Sequence, residues 1–334
     1  MGFLNSLLLT LIKALQTLIN NYAVTIIVFT ILIKLVVMPL NLKSRRSTMR
    51  MSSVQPQMQA LQEKYKDDQE KLNQKLQELY RKEGVSPMGG CLPMIISMFI
   101  LFAMFYALRT FANEQLVTQF LTFYHNPTID PSTLTDSFFW IRNLWMPDSP
   151  FATYMPDVQS LQLVDYQVWN DISAKLAAAG TIPQALTFAD RDAMMTYITD
   201  VVTPFIASEA YAPYVAPITG LGNLSILGII RFSIYEHGNG FFVLPLLSIA
   251  TQLLMQKLTM SQTQMDPSQA GSQKTVLYVM TFMSLYFCAI YNSAFALYWV
   301  VSNVYAIVEQ IGFNKYFAAQ DRKAAKAEEV GILK

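Results

Sequence analysis

Apolar residues along this chain form five long stretches that are almost free of charge, and these predict membrane-spanning helices. The stretches cover residues 22–41, 91–110, 241–258, 275–291 and 295–313. Each is close to the roughly 20 residues that a helix needs to cross a hydrocarbon core, where it satisfies its backbone polar groups internally. The pattern therefore predicts an all-α membrane protein with five transmembrane helices.

Residues 1–21 show a different pattern, in which leucines and isoleucines recur at helical spacing with polar residues between them. This spacing is typical of an amphipathic helix that lies in the membrane interface. A cleavable signal peptide is the alternative for this segment.

The segment 42–86 predicts a cytoplasmic hairpin of two helices. Its apolar residues alternate at spacings of three and four on either side of a turn at residues 66–68, so two stripes can close on each other. The hairpin leaves basic side chains for lipid headgroups or protein partners: Arg45, Arg46, Arg50, Lys64, Lys71 and Lys75. A charged hairpin that only faces water is the alternative.

Residues 111–240 form an extracytoplasmic region that is much longer than a simple connection needs to be. Within it, residues 152–236 predict a folded, helical insertion. We expect helices at 159–179 and 188–207, the second capped by Thr187, and a segment at 224–235 that lies on the membrane.

Composition and charge support a membrane protein and orient it. The chain is 53% hydrophobic and only 14% charged. Residues 42–86 hold ten Lys or Arg against six Asp or Glu, whereas residues 112–240 hold four against twelve. Because cytoplasmic loops accumulate Lys and Arg, we expect the N-terminus outside, and the 259–274 loop and the 314–334 tail inside.

The sequence predicts neither an enzyme nor a metal or cofactor site. It contains no phosphate-binding glycine loop, no zinc HExxH motif and no serine-hydrolase elbow. The two cysteines, Cys91 and Cys288, and the two histidines, His125 and His237, are too widely separated in sequence to suggest a metal site. We expect no covalent chemistry.

Lys34 is the most informative residue, because it places a positive charge inside the first apolar stretch. A charge in hydrocarbon is costly, and such residues usually face a wet cavity and mark a functional site. The alternative is a lysine that reaches the membrane surface with its long side chain and serves only topology.

Other polar residues within the spans are candidates for the same cavity. Thr30 lies one helical turn before Lys34, and Gln252 and Gln256 repeat that spacing in the third span. The last span adds Tyr298, Trp299, Ser302 and Asn303. Hydrogen bonds that only hold the helices together are the alternative for the glutamines and for Thr30.

Several motifs together resemble the YidC family of membrane protein insertases, which has mitochondrial and chloroplast relatives. They are residues 29–34 (FTILIK), 84–93 (GVSPMGGCLP), 139–144 (FWIRNL) with Pro147 and Asp148, 280–283 (MTFM) and 297–303 (LYWVVSN). The resemblance covers about residues 1–150 and 236–315.

The resemblance implies five core helices around a hydrophilic groove that is open to the cytoplasm and to lipid but closed outside. Most members carry an arginine as the key cation of this groove, and Lys34 takes its position here. Lysine keeps the charge but loses the bidentate geometry of a guanidinium. The resemblance supplies no function for residues 152–236.

The expected function is therefore insertion and chaperoning of nascent membrane proteins. The candidate partners are the ribosome, the Sec translocon, the signal-recognition machinery and membrane lipids, but not DNA. We expect the plasma membrane of a bacterium, because no large external domain precedes the first span and no lipobox cysteine is present. A small transporter or channel for an anionic solute is the leading alternative, and a scaffold that only assists assembly is a third.

Overall fold

The computed structural model describes residues 2–85, 92–219, 224–226, 230–260 and 270–329, and it confirms a predominantly helical fold. The longer helices are α1 (Gly2–Ile19), α2 (Tyr22–Lys64), α3 (Gln69–Glu83) and α4 (Leu92–His125). Short helices follow: α5 (Val158–Gln162), α6 (Tyr166–Ala178), α7 (Arg191–Tyr197), α8 (Thr203–Ile206) and α9 (Ala212–Val215). The chain ends with α10 (Val243–Met260), α11 (Ala270–Ile290) and α12 (Ser293–Glu329).

Within the described residues, two helical segments are long and apolar enough to cross a membrane by length and composition, namely α2 and Ser293–Gln320 within α12. Shorter apolar segments occur at Ser6–Ile19, Val243–Thr259 and Leu277–Ile290. Residues 86–91 and most of the 259–274 loop lie outside the described residues.

Helix α2 continues through residue 41, where we placed the end of the first span. Pro39 lies within this helix without ending it, so the change from apolar to basic residues leaves no gap in the helix. The span and the first arm of the hairpin are thus one helix of 43 residues.

The hairpin closes through a short turn after Lys64. Asp68 caps α3 by accepting a hydrogen bond from the backbone N–H of Lys71 at 3.0 Å. Gly84 ends α3 with φ of 61°, a left-handed conformation that glycine adopts without strain. Val54, Leu72 and Leu79 of the apolar stripes are buried.

The chain divides into two compact units. The insertion unit comprises Met1–Val28, Ala103–Ser248 and Ser284–Trp299. The hairpin unit comprises Phe29–Phe102, Ile249–Met283 and Val300–Lys334.

The insertion unit has an aromatic core around the end of α4. Trp169 and Tyr211 are fully buried, and their rings lie 5.9 and 6.2 Å from that of Phe120. The Tyr211 hydroxyl donates to the carbonyl of Pro156 at 2.6 Å. Large aromatic rings and a satisfied hydroxyl make this a folded core.

Two local predictions for the insertion were wrong, and the third, that residues 224–235 lie on the membrane, stays a prediction. The expected helix at 159–179 is divided into α5 and α6, because Asp165 caps a new helix. The second helix begins after Asp190, which accepts from the Ala193 N–H, so Asp190 and not Thr187 is the cap. The segment at 224–235 contains an antiparallel pair of strands, β1 (Leu224–Ile226) and β2 (Ile230–Phe232).

A buried polar network joins distant segments of the insertion unit. The Asn239 amide donates to the carbonyls of Asn143, Met146 and Pro147, each at 2.9 Å, and its oxygen accepts from the Asn143 N–H at 2.7 Å. The Asn143 amide in turn donates to Gln119 of α4 at 2.8 Å. Both asparagines are 0% exposed, so these bonds take the place of the hydrogen bonds that the same groups would make to water in the unfolded chain.

Asp148 and Ser293 extend this network to the ends of two more helices. The Asp148 carboxylate accepts from the N–H groups of Phe241 and Leu244 at 3.0 and 2.6 Å, at the start of α10, and from the Trp140 indole at 3.1 Å. The Ser293 hydroxyl donates to the Met146 carbonyl at 2.7 Å, at the start of α12.

We predict that Asn239→Ala strongly destabilises the insertion unit. The change removes the bonds that Asn239 makes to the Asn143 N–H and the Pro147 carbonyl, whereas the Met146 carbonyl keeps Ser293 as a donor. Each buried group left unsatisfied costs about 1–3 kcal/mol. Thermal unfolding of the full chain in detergent, followed by tryptophan fluorescence, should occur several degrees lower. Asn126→Ala is the control, since the Asn126 side chain is exposed and bonds only to an exposed group; an equal loss in both variants would contradict the role of the network.

Two aspartates of this unit have pKa values shifted in opposite directions. Burial raises the pKa of Asp136, despite a hydrogen bond from the Trp145 indole. Hydrogen bonds from Ser132 lower the pKa of Asp130, which is exposed. Asp136 therefore favours folding most at acidic pH and loses that contribution as pH rises through its raised pKa, whereas Asp130 loses its contribution as pH falls.

We predict opposite stability changes for Asp136→Asn and Asp130→Asn at neutral pH. The first should raise the unfolding temperature, because a neutral amide avoids burial of a charge and still accepts from Trp145. The second should lower it slightly, because an asparagine at position 130 would cap without a charge. The difference for Asp136→Asn should shrink as the pH of the unfolding experiment falls through the raised pKa of Asp136, whereas the difference for Asp130→Asn should shrink only below the ordinary aspartate pKa of 3.8. Differences that do not depend on pH would contradict these signs.

Candidate functional site

Polar contacts link the helices of the hairpin unit, where most of the predicted groove residues lie. Asn41 of α2 donates to both carboxylate oxygens of Glu309 on α12, at 3.2 and 3.1 Å. Asn303 of α12 donates to the Thr251 hydroxyl of α10 at 3.1 Å. These two contacts tie α12 to both α2 and α10.

Gln256 makes a third link, between α10 and α11. Its amide donates to the Leu277 carbonyl at 3.0 Å and to the Thr281 hydroxyl at 2.8 Å. These bonds favour the alternative interpretation of Gln256 as a residue that holds helices together. Gln252, one turn earlier, is half-buried and makes no hydrogen bond within the described part of the chain.

Lys34 is half-buried on α2, and Glu309 is close enough to interact with it electrostatically. No salt bridge within 4 Å and no hydrogen bond to Lys34 occurs among the described residues. The carboxylate that could neutralise the ammonium is instead held by Asn41. The Lys34 charge therefore has a distant counter-charge without a direct ion pair.

The remaining candidates differ in exposure. Thr30 is 1% exposed, and Ser302 is buried with a hydroxyl that has no hydrogen-bond partner among the described residues. Tyr298 and Trp299 belong to the insertion unit, where both rings contact Phe295. The Trp299 indole N–H is also buried without a partner in the described structure. That these residues line one groove stays a prediction.

The basic residues of the hairpin are mostly accessible. Arg46, Arg50, Lys64 and Lys71 are exposed or partly exposed. Arg45 is half-buried, and burial lowers the pKa of its guanidinium. The Lys75 ammonium pairs with the Glu78 carboxylate at 2.7 Å, which raises the pKa of Lys75. Because Glu78 already neutralises it, Lys75 is less available to an anionic partner.

Sequence reasoning missed Asn41 and Glu309 as site residues. A signal was present, because Asn41 follows Lys34 by seven residues and therefore lies on the same face of α2. The pairing itself joins residues 268 positions apart, which no local pattern reveals.

No group of three or more potential metal ligands occurs in the described ranges. Cys288 is a buried free thiol, and Cys91 lies outside those ranges. The site is built from amides, hydroxyls and single charges, which suits binding and orientation of a polar chain.

Comparisons with known proteins identify relatives of this chain. A family profile described as 60Kd inner membrane protein matches residues 14–215 and 214–321. A protein named membrane protein insertase YidC from Chlorobaculum tepidum is 40% identical over 149 residues, which are 45% of this chain and 22% of that protein. Proteins of the same name from Clostridium perfringens and Chlorobium luteolum are 38% identical over 131 residues and 27% identical over 304 residues.

The matches cover this chain and its relatives unequally. The Clostridium perfringens match covers 39% of this chain and 47% of the relative, and the Chlorobium luteolum match covers 91% of this chain and 34% of the relative. The chain thus spans less than half the length of these curated relatives.

We predict that Gln256→Leu lowers stability while Gln252→Leu does not. Loss of the bonds to Leu277 and Thr281 should cost about 0.5–1.5 kcal/mol, whereas Gln252 has no such bonds to lose in the described structure. Thermal unfolding of the two purified variants, which differ by one helical turn, measures this directly. Equal stability of both variants would argue against a packing role for Gln256.

Proposed function

The chain belongs to the YidC family, and we propose that it is an insertase and chaperone that lowers the barrier to lateral insertion of nascent transmembrane segments. The proposed path is a hydrophilic groove that contains the cation of Lys34. The observation that carries this proposal is an ammonium on an apolar, span-length helix without a direct ion pair in the described structure.

The proposed topology has five spans in a bacterial plasma membrane, with the N-terminus outside and the C-terminus in the cytoplasm. Lys34 lies six or seven residues before the cytoplasmic end of the first span. At 1.5 Å per residue, its charge would then sit roughly 10 Å below the inner membrane surface. A charge at that depth requires water or polar groups around it.

Ser302 supports a polar space beside Lys34. In the proposed topology α2 and α12 run in the same direction, and Asn41 contacts Glu309. Lys34 precedes Asn41 by seven residues, as Ser302 precedes Glu309, so each lies two turns back on the same helix face. Lys34 and Ser302 would therefore lie at the same level and face each other.

The cation would attract the acidic or polar tail of a client protein and lower the cost of moving that tail partway across the membrane. Entry of the client's apolar segment into lipid is favourable by the hydrophobic effect alone. The protein therefore needs to lower a barrier and requires no nucleotide.

Glu309 would tune this attraction without abolishing it. Asn41 holds the carboxylate with two hydrogen bonds, which leaves the ammonium of Lys34 available for the carboxylate of a client. Lys34 would therefore attract a client carboxylate less strongly than a lysine with no carboxylate nearby.

The hairpin is the proposed contact for the ribosome, the signal-recognition machinery or the emerging client. Its accessible cations, Arg46, Arg50, Lys64 and Lys71, suit phosphate groups of ribosomal RNA or lipid headgroups. Cooperation with the Sec translocon is compatible with the same proposal.

We predict that Lys34→Ala and Lys34→Glu slow insertion of a single-span client with an acidic outer tail about tenfold. Without the attraction of Lys34 for the tail, the activation free energy of insertion should rise by about 1.4 kcal/mol, which corresponds to that factor. Lys34→Arg should preserve insertion, because it keeps the charge. Reconstituted vesicles with protease protection of the translocated tail provide the measurement.

Lys43→Ala is the matched control on the same helix, because Lys43 is exposed and is not one of the cations proposed to contact a partner. A client with a neutral tail should respond weakly to every Lys34 variant. Equal insertion of the acidic-tail client by all Lys34 variants and the unmodified chain would remove the proposed role.

A further inference from the structure

The insertion unit contains an open cavity of about 540 Å³ that the proposed function does not use. Its walls come from α4, the 145–153 loop, the start of α5 and the short turn between α11 and α12. This volume lies within the range of about 300–1,000 Å³ that small-ligand sites occupy.

The cavity presents one cation and one carboxylate. Arg109 of α4 is exposed toward it and makes no hydrogen bond or ion pair within the described part of the chain. Asp157 accepts the Ser160 N–H through one oxygen, Oδ1, at 2.8 Å, which leaves Oδ2 for a ligand. The two charges do not pair with each other within 4 Å, so each can bind an opposite charge of one ligand.

The rest of the wall is largely apolar. Phe151 and Leu163 are 43% and 58% exposed at its rim, and Trp145 and Met146 line it. Exposed apolar side chains beside two charges that do not pair with each other indicate a ligand with an ionic head and a hydrocarbon part.

The position of the cavity indicates where that ligand comes from. Arg109 lies at the predicted outer end of the second span, and Ile290 at the outer end of the fourth also lines the cavity. A molecule present at high concentration at that level of the membrane is a phospholipid of the outer leaflet.

We propose that this cavity binds a phospholipid with a phosphoethanolamine head, its phosphate on Arg109, its ammonium on Asp157 and its acyl chains along Phe151 and Leu163. A primary ammonium donates hydrogen bonds to a carboxylate, which a choline head cannot do, and a glycerol head lacks the positive charge altogether. The cavity therefore selects by head chemistry as well as by apolar contact.

Native mass spectrometry of the full chain in detergent, with added phosphatidylethanolamine, phosphatidylglycerol or phosphatidylcholine, tests this directly. The ethanolamine lipid should be retained best. Arg109→Gln should weaken its retention about tenfold, the effect of one charge-assisted hydrogen-bonded contact. Asp157→Asn should remove the preference for ethanolamine over glycerol while preserving the helix cap, because asparagine caps as well as aspartate.

Two matched controls separate binding from general charge effects. Asp165→Asn changes the cap of α6, and Lys175→Gln removes an exposed cation of the same helix; neither residue lines the cavity. Both should retain the ethanolamine lipid like the unmodified chain, and unchanged thermal unfolding should show that all variants are folded.

Equal retention of the three lipids, or head preference that survives Asp157→Asn, would overturn the proposal. Displacement of the lipid by soluble glycerophosphoethanolamine at equal concentration would overturn its lipid part, because the apolar walls would then contribute nothing. Retention is measured without a client, so its outcome is independent of the insertase proposal.

Discussion

The structure depends on one constraint, that a polar group removed from water must find another partner. In the insertion unit the side-chain amide of Asn239 meets this constraint for a whole loop, since it satisfies three carbonyls and one N–H. Asp148 and Ser293 do the same at the starts of α10 and α12. Polar bonds at 0% exposure thus fix the ends of helices whose apolar surfaces give no unique register.

The hairpin unit treats the same constraint differently. Single contacts such as Asn41 to Glu309 and Asn303 to Thr251 join its helices, and Lys34 has no direct ion-pair partner among the described residues. Gln256 adds a link between α10 and α11 through the Leu277 carbonyl and the Thr281 hydroxyl. In the proposed function, the groove of this unit binds a client polypeptide transiently.

Much of the fold was predictable from sequence because it depends on local periodicity. The apolar stripes that bury Leu72 and Leu79 are visible as spacings of three and four. The sequence did not indicate that the predicted first span and the first arm of the hairpin form one helix, because a change from apolar to basic residues does not show whether a helix ends. Contacts such as Asn143 to Asn239 and Asn41 to Glu309 join residues about a hundred or more positions apart, so single-sequence patterns do not contain them.

The continuity of α2 has a mechanical consequence. From Lys34 to Lys64 the helix extends roughly 45 Å at 1.5 Å per residue, so one continuous element connects the tip of the hairpin to Lys34. Pro39 and Pro56 each lack the N–H that would complete the helical hydrogen-bond ladder, so α2 bends most easily at these two turns. Bending of α2 at these turns would change the orientation of the hairpin tip relative to Lys34.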